Sequence, residues 1–484
     1  MSKGRLAVSA IIMGVCNSFK ILLQLLVAPA LARLLGPVNF GIFSLAQPSI
    51  NFVMMLADAG LGQSLAREPE ENEAVWSSAF WLLQAVGIAL AGIVCLWSAP
   101  LAWLSRQPML PAVMAPLSLS VVLLTLSVAP SARLTRRGRI ETYSLVDLGA
   151  NLCGAGLAVG MAIAGLGVWS LVGQALCAYS IRAIGLNACA WRTPRWRLDW
   201  SAVRPHTLLG GGIVLTKFLD SFGRMAEATI VGRRFGSGGL GMYAFAGQAA
   251  WSLVQGVNNP AGTMIYAHAI RTNSPEEIRA LYARVLRLTA ILTLGGTAIV
   301  SALAPVLAAT ILGHAWASGV LLIALIFPSQ AIGTLGQLAS AVIYAQGRAR
   351  SQVWVAAGNS ILRLVAVAVP FGGWPMLAVY LAGANLIYFV LGLINARRQL
   401  GWSIGKSLGQ VRGAMLASVV GGVAAYYCSR LAPVSVPGLA LDGVVGGLAF
   451  CAALTVFDLR RVREDLAMGT ALLRRRGGRD LAAG

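Results

Sequence analysis

The chain has 484 residues, 57% hydrophobic and only 11% charged, a balance that excludes an ordinary soluble globule. A formal net charge of +21 would suit a nucleic-acid binder in a soluble protein, so the placement of the cations has to decide. The seven cysteines are odd in number and form no CxxC pair, which suggests neither a disulfide framework nor a zinc site.

Apolar runs of about 20 residues, enough to cross a bilayer, recur from end to end. Fourteen are predicted, at 7–32, 39–65, 76–99, 111–131, 143–165, 168–190, 207–232, 240–267, 286–312, 316–345, 353–370, 375–396, 413–430 and 438–457. The connecting segments are short and leave no room for a separate soluble domain. In the first run, Ala30-Leu31-Ala32 mimics a secretory cleavage site. Asn17, Lys20 and Gln24 interrupt that run, however, and it has a counterpart in mid-chain, so it reads as a retained first helix.

That counterpart organises the chain. LARLLGPVNFGIFSLA (31–46) returns as VGRRFGSGGLGMYAFA (231–246), with Arg33, Gly36, Gly41 and Ala46 matched by Arg233, Gly236, Gly241 and Ala246. Phe43 is matched by Tyr243. Shorter echoes follow: RRGRIET (136–142) aligns with AQGRARS (345–351), and Asp147/Asn151 with Asn359/Arg363. Six spans separate the copies, so both start on the same side of the membrane, as in parallel-repeat transporters. The predicted fold is an all-α integral membrane protein of about 14 transmembrane helices, arranged as two parallel-repeat six-helix lobes plus two extra C-terminal helices. The lobes cover 1–190 and 207–396, joined by a basic cytoplasmic linker (191–206); the extra pair spans 397–457 and a basic tail follows at 458–484.

The cations follow the topology. The amino terminus, the even-numbered loops with the span end beside them at Arg287, and the tail hold 28 of the 38 Lys and Arg, including Arg133, Arg136, Arg137 and Arg139. Such asymmetry puts both termini in the cytoplasm. Nucleic-acid binding is not expected. The arginine-rich tail reads as a solvated orientation signal or as a surface helix on anionic lipid.

Lys20, Arg182, Lys217, Arg224 and Arg363 fall inside predicted spans. Each costs roughly 2.5–3.5 kcal/mol at a helix centre and survives by facing water or a partner. Lys217, Asp220, Arg224 and Glu227 share one helical strip about 80° wide. By the repeat offset, Asn17, Lys20 and Gln24 form its polar counterpart. Gln47, Asn51 and Asp58 extend the polar face on span 2, and Gln248, Gln255 and Asn259 on span 8. Two readings fit: internal ion pairs that staple the bundle, or a wet cationic cleft for a substrate anion. For Lys20 and Arg363, a partner such as Asp220 or Asp147 competes with such an anion. Arg182 lies within snorkelling reach of the cytoplasmic end and is left out of the site.

Enzyme chemistry finds little footing. His206, His268 and His314 are far apart, and no Walker loop is present. Gly236-Ser237-Gly238-Gly239-Leu240-Gly241 satisfies GxGxxG but falls between two membrane helices rather than after a strand. No cofactor, metal or catalytic residue is expected.

RLLGPVNFGIFSLA, LADAGLGQSLARE (56–68) and GRRFGSGGLGMYAFAGQ resemble the polysaccharide-transporter branch of the multidrug/oligosaccharidyl-lipid/polysaccharide (MOP) exporter superfamily. Phe43 stands where that pattern commonly has tyrosine. The resemblance implies a bacterial inner-membrane flippase of undecaprenyl-diphosphate-linked oligosaccharide units, serving O-antigen, capsule or exopolysaccharide synthesis by alternating access. It implies a polymerase and glycosyltransferases as neighbours, and a lipid-tail groove formed by the extra helix pair. The substrate-binding cations carried over are Lys20, Lys217, Arg224 and Arg363. Asn17, Gln24, Gln47, Asn51, Gln248, Gln255 and Asn259 would contact sugar, and Asp58, Asp147 and Asp220 would serve as coupling groups or counter-ions. The competing expectation is a cation-coupled small-molecule exporter of the same superfamily.

Overall fold

The computed structural model describes residues 3–58, 61–67, 72–190, 194–196, 199–200, 211–272, 274–346, 349–369 and 372–480. Side chains are described throughout these segments except at 3–8, 10, 11, 58, 63, 67, 211–220, 349, 350 and 459–480. Helices account for nearly all of the described residues, and no strand occurs among them.

The chain opens with α1 (Lys3–Asp58), a pair of helical limbs joined at Gly36, whose φ of 70° and ψ of 169° break the helix. Such a conformation is open to glycine and strained for other residues. Pro37, which lacks an N–H to continue the previous turn, starts the second limb. Next come α2 (Leu61–Arg67), α3 (Glu73–Ser105), α4 (Leu110–Arg136), α5 (Ile140–Ile163) and α6 (Trp169–Ala190). Then α7 (Gly211–Arg271) repeats the α1 design, with its kink at Gly236 (φ 71°, ψ −179°). The remainder is α8 (Pro275–Ala302), short turns over 304–319, α9 (Val320–Leu335), α10 (Leu338–Ala345), α11 (Ala349–Ala368), α12 (Gly373–Leu400), α13 (Ile404–Leu431) and α14 (Val436–Asp480). α14 breaks at Asp458, where the apolar sequence gives way to arginines.

Several helix starts carry side-chain caps. Asn72 accepts from the Ala74 amide at α3, Ser274 from Glu277 at α8, and Ser403 from Lys406 at α13. Asp/Glu follow in the first turn of α3 and α8, where the helix dipole favours them.

Among the described residues, ten segments are long and apolar enough to cross a membrane. The first, Ile12–Ala57, has 46 residues and a bend, enough for two crossings. α6 and α7 are not among the ten; α6 carries Gln174, Arg182 and Asn187, and α7 carries Arg224, Glu227, Arg233 and Arg234. Large apolar side chains such as Leu26, Leu96, Trp103 and Leu448 are exposed along the helices, as a lipid-facing surface requires.

Two compact units emerge from the packing. One comprises residues 1–249, 311–319 and 356–381; the other comprises 250–310, 320–355 and 382–484. In the first, α3 and α4 bury Val75, Trp76, Ala79, Ala129 and Ala132 together, and Gly154 of α5 abuts Ala178 of α6. The second is built on Tyr282, Leu286, Leu294, Leu335, Val342 and Phe389, with α13 and α14 in contact at Gly421 and Gly446. Small residues at such crossings let helices approach closely where lipid gives no hydrophobic drive.

Candidate functional site

The repeated motif explains its own glycines. Gly36 and Gly236 supply the kinks, while Gly41 and Gly241 pack against each other's limb within the first unit. A methyl group on Gly41 would overlap the Ser237 carbonyl, and one on Gly241 would overlap the Pro37 carbonyl. The offset of 200 residues relates these two contacts, so a local pseudo-two-fold axis passes between the limbs. Phe40, Phe245 and Trp316 close around the crossing with ring centroids 5.0–6.1 Å apart. The Trp316 indole donates to the Ala32 carbonyl at 3.0 Å, fixing the turn 314–319 on α1.

Two charge clusters lie in this unit. In the first, Lys20 Nζ of α1 is 2.5 Å from Asp147 Oδ2 of α5, and Arg182 of α6 pairs with the other carboxylate oxygen. Asp147 is buried, its side chain 7% exposed, whereas Lys20 is 35% exposed. The Arg182 guanidinium lies 5.3 Å from the Tyr179 ring centroid. Two cations therefore share one carboxylate.

In the second cluster, Arg363 of α11 grips Glu227 of α7 in a fork, Nη2 to Oε1 at 2.7 Å and Nε to Oε2 at 3.2 Å. Tyr243, beyond the kink, donates to Glu227 and accepts from Arg363 at 2.9 Å. Here one cation meets one anion, and a phenol completes the network. The repeat gives its meaning. Glu227 and Tyr243 correspond to Val27 and Phe43, which pack on Leu31, Leu35, Ala158 and Leu171 in a purely apolar cluster. Arg363 corresponds to Asn151. The second copy thus holds its kinked limbs with a polar lock at a place where the first copy uses hydrophobic packing.

Each expected residue can now be located. Lys20 and Asp147 come together, and Arg363 belongs to the second cluster, partnered by Glu227. Arg224 is exposed on α7. The side chains of Lys217, Asp220 and Asp58 lie outside the described residues. Asn17, Gln24, Asn51, Gln248 and Asn259 are exposed and Gln255 is half-buried; Gln47 donates to Asn51 at 2.8 Å. Gln255 and Asn259 fall in the second unit. Arg182 and Tyr243 are the functional candidates that the sequence reading passed over. Arg182 does not snorkel outward: its side chain is 19% exposed and turned to Asp147. The signal for Tyr243 was its replacement of Phe43 in the repeat. A further carboxylate, Asp442 of α14, is buried in the second unit.

Comparison with known proteins now decides the family. The family described as polysaccharide biosynthesis protein matches residues 30–321, more than half of the chain. The chain belongs to this family. A related sequence is the succinoglycan biosynthesis transport protein ExoT of Rhizobium meliloti (strain 1021), 25% identical over 260 residues. That match covers 52% of this chain and 53% of ExoT, so the chain spans about half the length of this relative. Among solved structures, the lipid II flippase MurJ in an inward closed conformation superposes with a TM-score of 0.75 at 12% identity, covering 93% of this chain and all of MurJ. An inward-facing multidrug resistance MATE transporter of the MOP superfamily gives 0.57 at 13% identity, covering 78% of this chain and 94% of that one. These likenesses establish the fold. The proteins so described are transporters and flippases, not enzymes.

Proposed function

We propose that this chain is a flippase that carries undecaprenyl-diphosphate-linked oligosaccharide repeat units across the bacterial inner membrane by alternating access. The observation that carries this reading is the surplus of cation over anion at the Lys20–Asp147–Arg182 cluster, set within apolar helices of a polysaccharide-biosynthesis family member. A diphosphate suits such a place: guanidinium gives forked hydrogen bonds and ammonium a compact charge. Lys217 and Arg224 complete the proposed anion-binding set, with Arg363 adjoining it through its lock. Asn17, Gln24, Gln47, Asn51, Gln248, Gln255 and Asn259 are proposed to hydrogen-bond the sugars, and Asp58 and Asp220 to act as counter-ions or coupling groups.

The polyprenyl chain is assigned to the extra helix pair. A cavity of about 350 Å³ in the second unit, between α8, α9 and the pair's α13, is lined mainly by apolar residues such as Leu294, Ala298, Ile332, Met415 and Val419, with Ser301 and Ser418 beside them. The relative's part in succinoglycan biosynthesis supports an exopolysaccharide as the end product. Both termini are placed in the cytoplasm on the strength of the cation asymmetry. A polymerase and glycosyltransferases are the proposed partners. An organic-cation exporter would need carboxylates free of neighbouring guanidinium groups, and both described clusters lack that.

The test is genetic. A strain carrying Lys217→Ala with Arg224→Ala is expected to lose surface polysaccharide while the protein remains in the membrane. Normal polysaccharide in that strain would overturn the site assignment.

A further inference from the structure

Lys20 and Arg182 approach one carboxylate from different helices, each engaging a different oxygen of Asp147. Among the described residues, the polar groups in contact with the cluster are neutral: the Tyr179 ring lies against the guanidinium, and Asn151 donates to the Asp147 backbone carbonyl at 2.7 Å. The other acid of α5, Glu141, is six residues away, ~9 Å along the helix, and accepts from Ser9 at 2.7 Å. Among the described groups of this cluster the cations therefore outnumber the anion by one. Arg182 also keeps a donor in reserve, since its Nε is buried without a hydrogen-bond acceptor among the described residues.

Depth matters as well. Asp147 is seven residues inside α5, ~10 Å from the end where Arg136, Arg137 and Arg139 gather. A lipid phosphate entering from the end marked by those arginines would reach this cluster about two helical turns in. A phosphate offers the same pair of oxygens as the carboxylate, with more charge.

We infer that Asp147 is a built-in stand-in for the substrate anion: it occupies the Lys20–Arg182 site when the protein is empty, and the diphosphate of an incoming polyprenyl lipid displaces it. This rests on the flippase reading above and makes Arg182 a substrate-positioning residue. The second cluster is less suited to this part, because Glu227 holds Arg363 in a two-point fork and Tyr243 ties both. Removing the stand-in must tighten binding, whereas a merely structural ion pair gives no such gain.

The experiment is binding of farnesyl diphosphate to the purified full-length protein in detergent, with farnesol and phosphatidylglycerol as separate competitors. Asp147→Asn keeps the side-chain volume and removes the competing charge. Repulsion between a displaced carboxylate and each unit of negative charge on a diphosphate ~6 Å away, at an effective dielectric of ~40, corresponds to about a tenfold change, which sets the minimum expected. Asp147→Asn is therefore expected to bind about tenfold or more tighter than wild type, and Arg182→Ala and Lys20→Ala about tenfold or more weaker. Arg182→Lys recovers part of that loss. Should Asp147→Asn fail to fold, the comparison moves to Lys20→Gln against Lys20→Gln/Asp147→Asn, whose net charge equals that of wild type. The double variant is expected to bind the tighter of the two. Unchanged or weakened binding on loss of Asp147 would overturn the inference, as would equal competition by phosphatidylglycerol or by farnesol. The two readings fail separately. Translocation in vesicles with no tightening by Asp147→Asn removes only the stand-in, whereas tightening without translocation leaves an anion site and removes the flippase.

Discussion

The polar lock of the second repeat invites a direct energetic test. Glu227→Gln removes the Glu227 charge from the Arg363 guanidinium and leaves the Tyr243 hydroxyl with a weaker acceptor. Breaking a buried pair by removing one partner costs about 3–5 kcal/mol. Arg363 is 27% exposed while Glu227 is 5% exposed, so water relieves part of that penalty. The expected loss is about 2–3 kcal/mol. The repeat also supplies the rescue. Glu227→Val, Tyr243→Phe and Arg363→Asn together install the residues of the first copy, Val27, Phe43 and Asn151, so all three described members of the lock leave at once. Replacing a buried ion pair by packed apolar groups is often neutral, and the triple variant is expected to regain most of the loss. Thermal unfolding in detergent reads the order: wild type and the triple variant close together, Glu227→Gln below both. A Glu227→Gln protein that melts with wild type, or a triple variant that melts below Glu227→Gln, would refute the reasoning.

Other consequences follow from the same contacts. Gly41→Val and Gly241→Val each press a side chain on the opposing backbone carbonyl and are expected to cost more than the 1–3 kcal/mol or so typical of overpacking, read as loss of folded protein after extraction. Because the two glycines share one crossing, the double variant is expected to cost less than the sum of the single ones. A Val38→Cys/Gly238→Cys pair, whose parents lie within van der Waals reach, is expected to form a disulfide under mild oxidation, visible as a reductant-sensitive mobility shift. Trp196 stacks on Trp81 at 4.1 Å and 27°, strapping the linker to α3, and the Trp81 indole donates to the Arg195 carbonyl. Such stacks contribute about 0.5–1.5 kcal/mol, so Trp196→Ala is expected to speed trypsin cleavage in 191–206 several-fold; unchanged cleavage would argue against the strap.

The kinks were legible from the sequence because a backbone need leaves a residue signature. Gly36 and Gly236 stand at the break, and Gly41 and Gly241 at the crossing, in each copy of the motif. The polar face of α1 was legible through helical phase; for Lys20 a cross-helix acid, Asp220 or Asp147, was one of two open readings, and the structure pairs it with Asp147. Arg182 was passed over because distance from a helix end does not say which way a long side chain turns. Packing of α5 on α6 decided that, and one sequence does not display it. The partner of Arg363 was hidden for a related reason: phase on α7 identifies a charged strip, but the fork from α11 depends on how the helices cross. Tyr243 could have been read correctly, since its hydroxyl is the difference from Phe43 and its neighbour Glu227 differs from Val27 in the same sense.

The central claim is that this chain moves a diphosphate-linked saccharide lipid through a site built on membrane cations. It is tested most directly in vesicles reconstituted with the purified protein and a fluorescently labelled undecaprenyl-diphosphate oligosaccharide, following the label's exposure to an impermeant quencher. Wild-type protein is predicted to expose inner-leaflet label well above the protein-free rate, and Lys20→Ala/Arg182→Ala protein to remain at that background. Wild-type vesicles that flip no faster than empty ones would contradict the account.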